Sequence, residues 1–170
     1  MQYPPTNAQN WLTKFSPDNK YVIISLGTGY VQVYSLANLT APPKVLGKFN
    51  NWIRAIEWSP DSKYLATGDT GRMQLWKFPE AELVQTWEVK ASTNTGVYEL
   101  YGLSWLDGGN KVSWIFRDGR YMYDFEKNQK WWWSLGFGDH SWGGWSLYYL
   151  KKKGYFVTAD GDSLVRFWKS

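Results

Sequence analysis

Cysteine is absent from this sequence, and histidine occurs once, as His140. The lack of thiols excludes disulfides, zinc-thiolate sites and a cysteine nucleophile, and it is compatible with a reducing compartment. A lone histidine leaves no paired histidine ligands, and no Gly-rich phosphate loop follows a strand. We therefore predict no catalytic residues, no metal site and no cofactor, so that the protein is not an enzyme.

Long apolar runs are also missing. No stretch approaches the roughly 18 residues that a membrane helix requires, and the segment from Met1 to Asn7 has neither the basic nor the apolar part of a signal peptide. We expect a soluble, cytoplasmic protein without membrane insertion. The formal net charge is only +4, with basic and acidic residues intermixed, which does not favour nucleic acid as a partner.

Aromatic residues, in contrast, are abundant. The 170 residues include 13 Trp and 12 Tyr, whereas 44% hydrophobic and 20% charged residues are an ordinary globular balance. Large rings with polar tips serve both in cores and at interfaces. The length fits one domain, so a single architecture over residues 1–170 should explain the chain.

Two sequence landmarks recur in step along the chain. The first is an aromatic residue followed by a turn, and its copies lie about 43 to 47 residues apart: Phe15 to Tyr21, Trp58 to Tyr64, Trp105 to Lys111 and Tyr149 to Tyr155. The second follows about twenty residues later: Val31 to Ser35, Met73 to Lys77, Tyr121 to Asp124 and Leu164 to Lys169. Two anchors that repeat together indicate four structural repeats.

Short strands and tight turns fill each repeat. Runs rich in β-branched and aromatic residues, such as Tyr21 to Ser25 and Lys111 to Phe116, precede glycine-containing turn signals, such as Gly27-Thr28-Gly29 and Asp118-Gly119. No segment has a convincing helical period. The sequence therefore predicts an all-β fold.

A period of this length, with four short strands and a Trp-Asp-like ending, resembles the WD40-repeat β-propeller family. The resemblance covers Ala8 to Ser170 as four repeats, at about 8–49, 50–90, 98–136 and 140–170. It implies a single domain of about four propeller blades.

The resemblance also implies a buried hydrogen-bond network of His, Ser or Thr, Asp and Trp inside a blade. By position, the fourth repeat supplies His140, Thr158, Asp162 and Trp168. The second repeat supplies a partial copy, with Thr67, Asp69 and Trp76. The first and third repeats have Tyr34 and Tyr123 at the Trp position, so the full network is not expected there.

The number of blades is the informative feature. Outer strands are expected in the first three repeats and none in the fourth, and propellers of this family usually have more than four blades. We expect an open arc whose flanks bind protein, either as part of a composite ring made by self-association or in a hetero-complex. A compact four-bladed ring is the alternative.

Trp and Arg, which are enriched at interaction hot spots, mark the predicted partner-binding residues. On the face that carries the loops between blades these are Asn51, Trp52, Arg54, Tyr98, Arg117, Trp142 and Trp145. Trp131 and Trp133 join them on the outer strand of the third repeat. We expect a non-catalytic scaffold, an accessory subunit of a larger complex; the alternative is a propeller lectin with Trp platforms for glycans.

Overall fold

A computed structural model describes residues 8–47, 49, 52–88, 100, 102–116, 119–133, 144–161 and 163–169. They form fifteen strands in four antiparallel sheets, with one short 3-10 turn at Asp107–Gly109. The predicted all-β fold is confirmed. Within the described part of the chain, no helix is long and apolar enough to span a membrane.

Each sheet is a meander of consecutive strands, and we call the sheets blades 1 to 4. Blade 1 contains β1 (Asn10–Phe15), β2 (Tyr21–Leu26), β3 (Tyr30–Ser35) and β4 (Lys44–Leu46), and blade 2 contains β5 (Ala55–Trp58), β6 (Tyr64–Gly68), β7 (Arg72–Lys77) and β8 (Glu82–Glu88). Blade 3 contains β9 (Gly102–Leu106), β10 (Lys111–Phe116), β11 (Gly119–Asp124) and β12 (Gln129–Trp133). Blade 4 contains β13 (Gly144–Leu150), β14 (Tyr155–Asp160) and β15 (Val165–Lys169), three strands among the described residues.

The hydrophobic core lies between successive blades. Ile23 and Val33 of blade 1 share one cluster with Leu65 of blade 2, and further clusters join blade 2 to blade 3 and blade 3 to blade 4. The first strands of the blades follow one another, since β5 packs against β1, β9 against β5 and β13 against β9. Stacked sheets of this kind bury each blade against its neighbours.

The arc of four blades is open. Among the described residues, β13 packs extensively on β9 and has no comparable contact with β1. The burial of the first strands agrees, because β9 is buried along its whole length whereas β1 has five exposed residues out of six. The described residues therefore form the open arc predicted from the sequence and not the compact four-bladed ring.

The Ser-Pro-Asp turns between the first and second strands of blades 1 and 2 share one geometry. In blade 2 the Ser59 hydroxyl donates to Asp61 Oδ1 at 2.7 Å and accepts from the Tyr64 amide at 2.9 Å. The residue after the Asp adopts a positive φ, 57° at Asn19 and 61° at Ser62. The Asp18 amide also donates to Ser62 Oγ at 3.0 Å, which joins the turns of the two blades.

These hydrogen bonds lower the pKa of both turn carboxyls. The hydrogen bond from the Ser16 hydroxyl holds the pKa of Asp18 below 3.8. At Asp61 burial raises the pKa, but the hydrogen bonds from Ser59 and Lys63 outweigh this effect, so that its pKa also lies below 3.8. A carboxyl with a lowered pKa in the folded state stabilises that state above its unfolded pKa.

We expect Asp61→Asn to reduce the acid sensitivity of folding. The contribution of Asp61 is complete above pH 3.8 and is lost as the pH falls through the lower pKa of the folded state. The variant should have a lower urea midpoint than the wild type at neutral pH, and the gap should narrow below pH 3.8. A difference in urea midpoint that stays constant across this range would contradict the lowered pKa of Asp61. Glu82→Gln, at the exposed start of β8, is the control.

Close approach between blades 3 and 4 requires a residue without a side chain at Gly102. An added Cβ would lie 2.6 Å from the Leu147 backbone nitrogen and 2.7 Å from Ile115 Cγ2. At Gly68 the three atoms nearest to an added Cβ all belong to the side chain of Leu100, the closest at 2.5 Å. A side chain can rotate away from such a contact, whereas a strand backbone can move only with its sheet.

Gly102→Ala should therefore destabilise the protein by about 1 to 3 kcal/mol, and Gly68→Ala should cost less. Chemical denaturation of both variants, followed by tryptophan fluorescence, measures the difference. Equal or reversed costs would show that blades 3 and 4 are not held in this close contact.

Candidate interaction surfaces

Two exposed tryptophans and a half-buried arginine form a cluster where blades 1 and 2 meet. The rings of Trp11, in β1, and Trp52, just before β5, are stacked with centroids 5.1 Å apart and an interplanar angle of 25°. The guanidinium carbon of Arg54 lies 5.1 Å from the Trp11 centroid and 4.9 Å from the Trp52 centroid. We call these three residues the Trp–Arg cluster.

Neighbouring backbone positions the cluster, yet its two indole rings remain accessible. An added Cβ at Gly27 would lie 3.0 Å from Trp11 Nε1, so the β2–β3 turn leaves room for the indole. The Arg54 amide donates to the Gly68 carbonyl at 3.0 Å, which fixes the start of β5. Trp11 remains 40% exposed and Trp52 41% exposed. Stacked rings with a cation beside them form a pre-ordered surface that costs little conformational entropy on binding.

The sequence predicted two members of this cluster and missed the third. Trp52 and Arg54 were expected as partner-binding residues, and the structure brings them together. Trp11 was not, because it lies in the first strand of a blade, a position that is buried in β9 but exposed in β1. The early position of Trp11 in an end blade is the signal that could have identified it.

Among the other predicted partner residues, Trp131 is the one whose side chain the structure describes. Trp131, in β12, is half-buried, and the Lys127 ammonium lies 5.9 Å from its ring centroid. Its neighbour Trp132 is exposed. Trp133 and Trp145 lie in β12 and β13, but their side chains are outside the described part of the structure. The remaining predicted residues lie outside the described residues: Asn51, Tyr98, Arg117 and Trp142.

Hydrogen bonds from Trp to Thr occur inside blades 2 and 4. The indole of Trp76 donates to Thr67 Oγ1 at 3.0 Å, and the indole of Trp168 donates to Thr158 Oγ1 at 3.0 Å. Trp76 is buried and Trp168 is half-buried. Each bond joins the third strand of a blade to its second strand. Blades 2 and 4 are the two blades whose third strand carries Trp at this position.

Asp69, the acidic member of the predicted network in blade 2, bonds a residue outside that network. The carboxylate of Asp69 is fully buried and bonds Arg72 at 2.7 Å, so it forms an ion pair within the β6–β7 turn. His140 and Asp162 lie outside the described residues. Among the residues that are described, no group of three or more potential ligand side chains could hold a metal ion.

A charged cavity of about 420 Å³ lies between blades 3 and 4. Its lining includes Arg120, whose guanidinium carbon is 4.1 Å from the centroid of the Phe156 ring. Burial lowers the pKa of Arg120 to about 10, so the side chain stays charged at neutral pH. Lys111, also in the lining, bonds Asp107 at 2.5 Å, and this bond raises the pKa of Lys111.

Both ends of the arc expose apolar side chains. On blade 4, Tyr148, Val157 and Phe167 are directly opposite one another across the three strands, so they share one face, and the two rings are exposed. The opposite face carries Leu147 and Phe156, which pack on blade 3. On blade 1, Phe15 and Val45 are exposed. We call these surfaces the blade 4 flank and the blade 1 flank.

Comparison with known proteins gives one match to a sequence profile and two similar solved structures. Residues 42–77 match the sequence profile of the family described as WD domain, G-beta repeat. Among solved structures, one described as "Structure of U3-55K" superposes on 98% of the chain with a TM-score of 0.80 at 18% identity. Another, "Crystal structure of RRP9 WD40 repeats", covers the same 98% with a TM-score of 0.79 at 18% identity. This chain spans 50% of the length of each of these two chains. No curated protein sequence matches it.

The Trp–Thr bonds give a matched pair of stability predictions. Thr67→Val leaves the buried indole N–H of Trp76 without its acceptor and should cost about 1 to 3 kcal/mol, because a buried donor then loses its partner. Thr158→Val should cost less, since the half-buried Trp168 has access to water. Thermal unfolding of the two isosteric variants tests the order; a larger loss for Thr158→Val would contradict it.

Proposed function

We propose that this chain, which has the fold of solved WD40 chains and matches the WD domain, G-beta repeat profile at residues 42–77, is a non-catalytic protein-interaction module that acts as an accessory subunit of a larger complex. The observation that carries this proposal is the Trp–Arg cluster. Its composition is that of interaction hot spots, its two indole rings are exposed, and the three side chains are ordered by one another.

The geometry of the cluster favours a particular kind of partner. Arg54 presents a cation beside two indole rings, and a guanidinium next to aromatic faces suits a carboxylate that is flanked by an apolar side chain. We therefore propose that the partner is a protein segment that presents an acidic residue next to an aliphatic or aromatic one.

Substitutions in the cluster test the proposal. The tagged chain is used to capture proteins from its source cells, and each captured protein is then titrated in purified form. Trp52→Ala should weaken binding about 30-fold, the loss that corresponds to a hot spot worth about 2 kcal/mol. Arg54→Lys keeps the charge but loses the flat guanidinium, so it should give an intermediate loss.

Trp132→Ala is the matched control, because it removes an exposed ring from the outer strand of blade 3, 52% exposed against 41% for Trp52. It should bind as the wild type does. A partner that binds all these variants equally would refute the role of the cluster. Quenching of tryptophan fluorescence by oligosaccharides, abolished by Trp52→Ala, would instead support the lectin alternative.

A further inference from the structure

The interface between blades 3 and 4 differs from the two other interfaces at equivalent positions of the repeat. One such position lies in the third strand, opposite the fifth residue of the second strand. It is occupied by Val31 in blade 1, Met73 in blade 2 and Arg120 in blade 3. All three side chains are buried. Blades 1 and 2 therefore have an apolar residue where blade 3 has a guanidinium.

A second position shows the same exchange. The second strand begins with Tyr21 in blade 1 and Tyr64 in blade 2, and each tyrosine stacks on a tryptophan of the next blade. In blade 3 this strand begins with Lys111. Tyr149 of blade 4 takes the place of those tryptophans, since it is likewise opposite the second residue of the following strand. A stacked aromatic pair is thus replaced by a lysine and a tyrosine.

The two exchanged cations line the cavity of about 420 Å³ between blades 3 and 4. Lys169 is a third cation of the lining. Lys111 is bonded to Asp107, another lining residue, and lies 3.8 Å from Asp124, so these carboxylates offset its charge. Arg120 and Lys169 then give the cavity an excess of positive charge. The other lining residues are Leu106, Met122, Tyr149 and Phe156.

Arg120 forms a charged wall inside the interface. Its guanidinium carbon lies 4.1 Å from the centroid of the Phe156 ring, and burial lowers its pKa to about 10. A cation that is taken out of water costs free energy, which an anion beside it offsets. Lys169, in the same lining, is exposed, so the cavity can be reached from solvent.

We propose that this cavity binds a small phosphate monoester, with the phosphate held by Arg120 and Lys169 and an apolar body packed against Phe156. Apolar walls with a few polar groups, in a cavity of this volume, are typical of small-molecule sites. A guanidinium presents parallel N–H donors that suit phosphate oxygens, and the double charge of a phosphate monoester matches two cations. The Trp–Arg cluster lies between blades 1 and 2, so either proposal can fail while the other holds.

Calorimetric titration of the purified full chain with phenyl phosphate tests the site. Near neutral pH a phosphate monoester carries almost two negative charges. Phenyl phosphate should therefore bind more tightly than benzoate, which carries a single charge on a similar ring. Inorganic phosphate, which lacks the ring, and phenol, which lacks the charge, should also bind more weakly than phenyl phosphate.

Two substitutions separate the cavity from the rest of the surface. Arg120→Met introduces the residue type that blade 2 has at the same position, and it should weaken the binding of phenyl phosphate about tenfold or more, because hydrogen bonds to a charged group are lost. Lys169→Met removes an exposed cation and should weaken binding about two- to fivefold. Circular dichroism checks the fold of both variants, and the exposed Lys169 position keeps the test valid if Arg120 is needed for folding.

Lys130→Met is the matched control, because it removes an exposed cation from the outer strand of blade 3 that does not line the cavity. It should bind phenyl phosphate as the wild type does. A wild-type chain that does not bind phenyl phosphate would overturn the proposal, and so would equal binding by Arg120→Met and Lys169→Met. Binding of benzoate or inorganic phosphate as tight as that of phenyl phosphate would also refute a phosphate monoester as the ligand.

Discussion

A propeller blade has two faces, and each face can be buried only against a neighbouring blade. This constraint explains why strands at the same position of the repeat differ in exposure from one blade to another. The first strand is wholly buried in blade 3 and largely exposed in blade 1, although the two strands occupy the same position in the repeat. The same side-chain type at the same repeat position is therefore core in the middle of the arc and surface at its end. Trp58 and Phe15 illustrate the difference.

Within a blade, polar contacts between residues close in sequence fix the strands relative to one another. The Ser-Pro-Asp turns fix the step from the first strand to the second through side-chain to backbone hydrogen bonds. The Trp–Thr bonds then tie the third strand to the second, and because both groups are polar, their bond removes the cost of burying them. Such bonds fix a blade internally, but they do not determine how many blades stand side by side. That number is set by the apolar contacts between blades.

This division explains what could be predicted from the sequence. Strands and turns depend on residues close to one another in the chain, so the repeat of Phe15 to Tyr21 at Trp58 to Tyr64 was sufficient to predict the fold. The candidate site was only half predictable. Trp52 and Arg54 stood out by residue type, whereas Trp11 became a candidate only when its stacking on Trp52 was seen. Likewise, the Asp69 carboxylate was assigned by family position, but its partner is the adjacent Arg72, which local charge pairing favours.

Strand β1 connects the Trp–Arg cluster to the blade 1 flank. Trp11 lies near its start, stacked on Trp52, and Phe15 ends it on the blade 1 flank. A strand with five exposed residues out of six is restrained mainly by its pairing with β2. Any contact that orders β1 at Phe15 also limits the motion of Trp11, and a partner that binds Trp11 limits Phe15 in return. Binding at the Trp–Arg cluster and a contact on the blade 1 flank therefore strengthen each other by the same free energy, because linkage between two binding events is reciprocal.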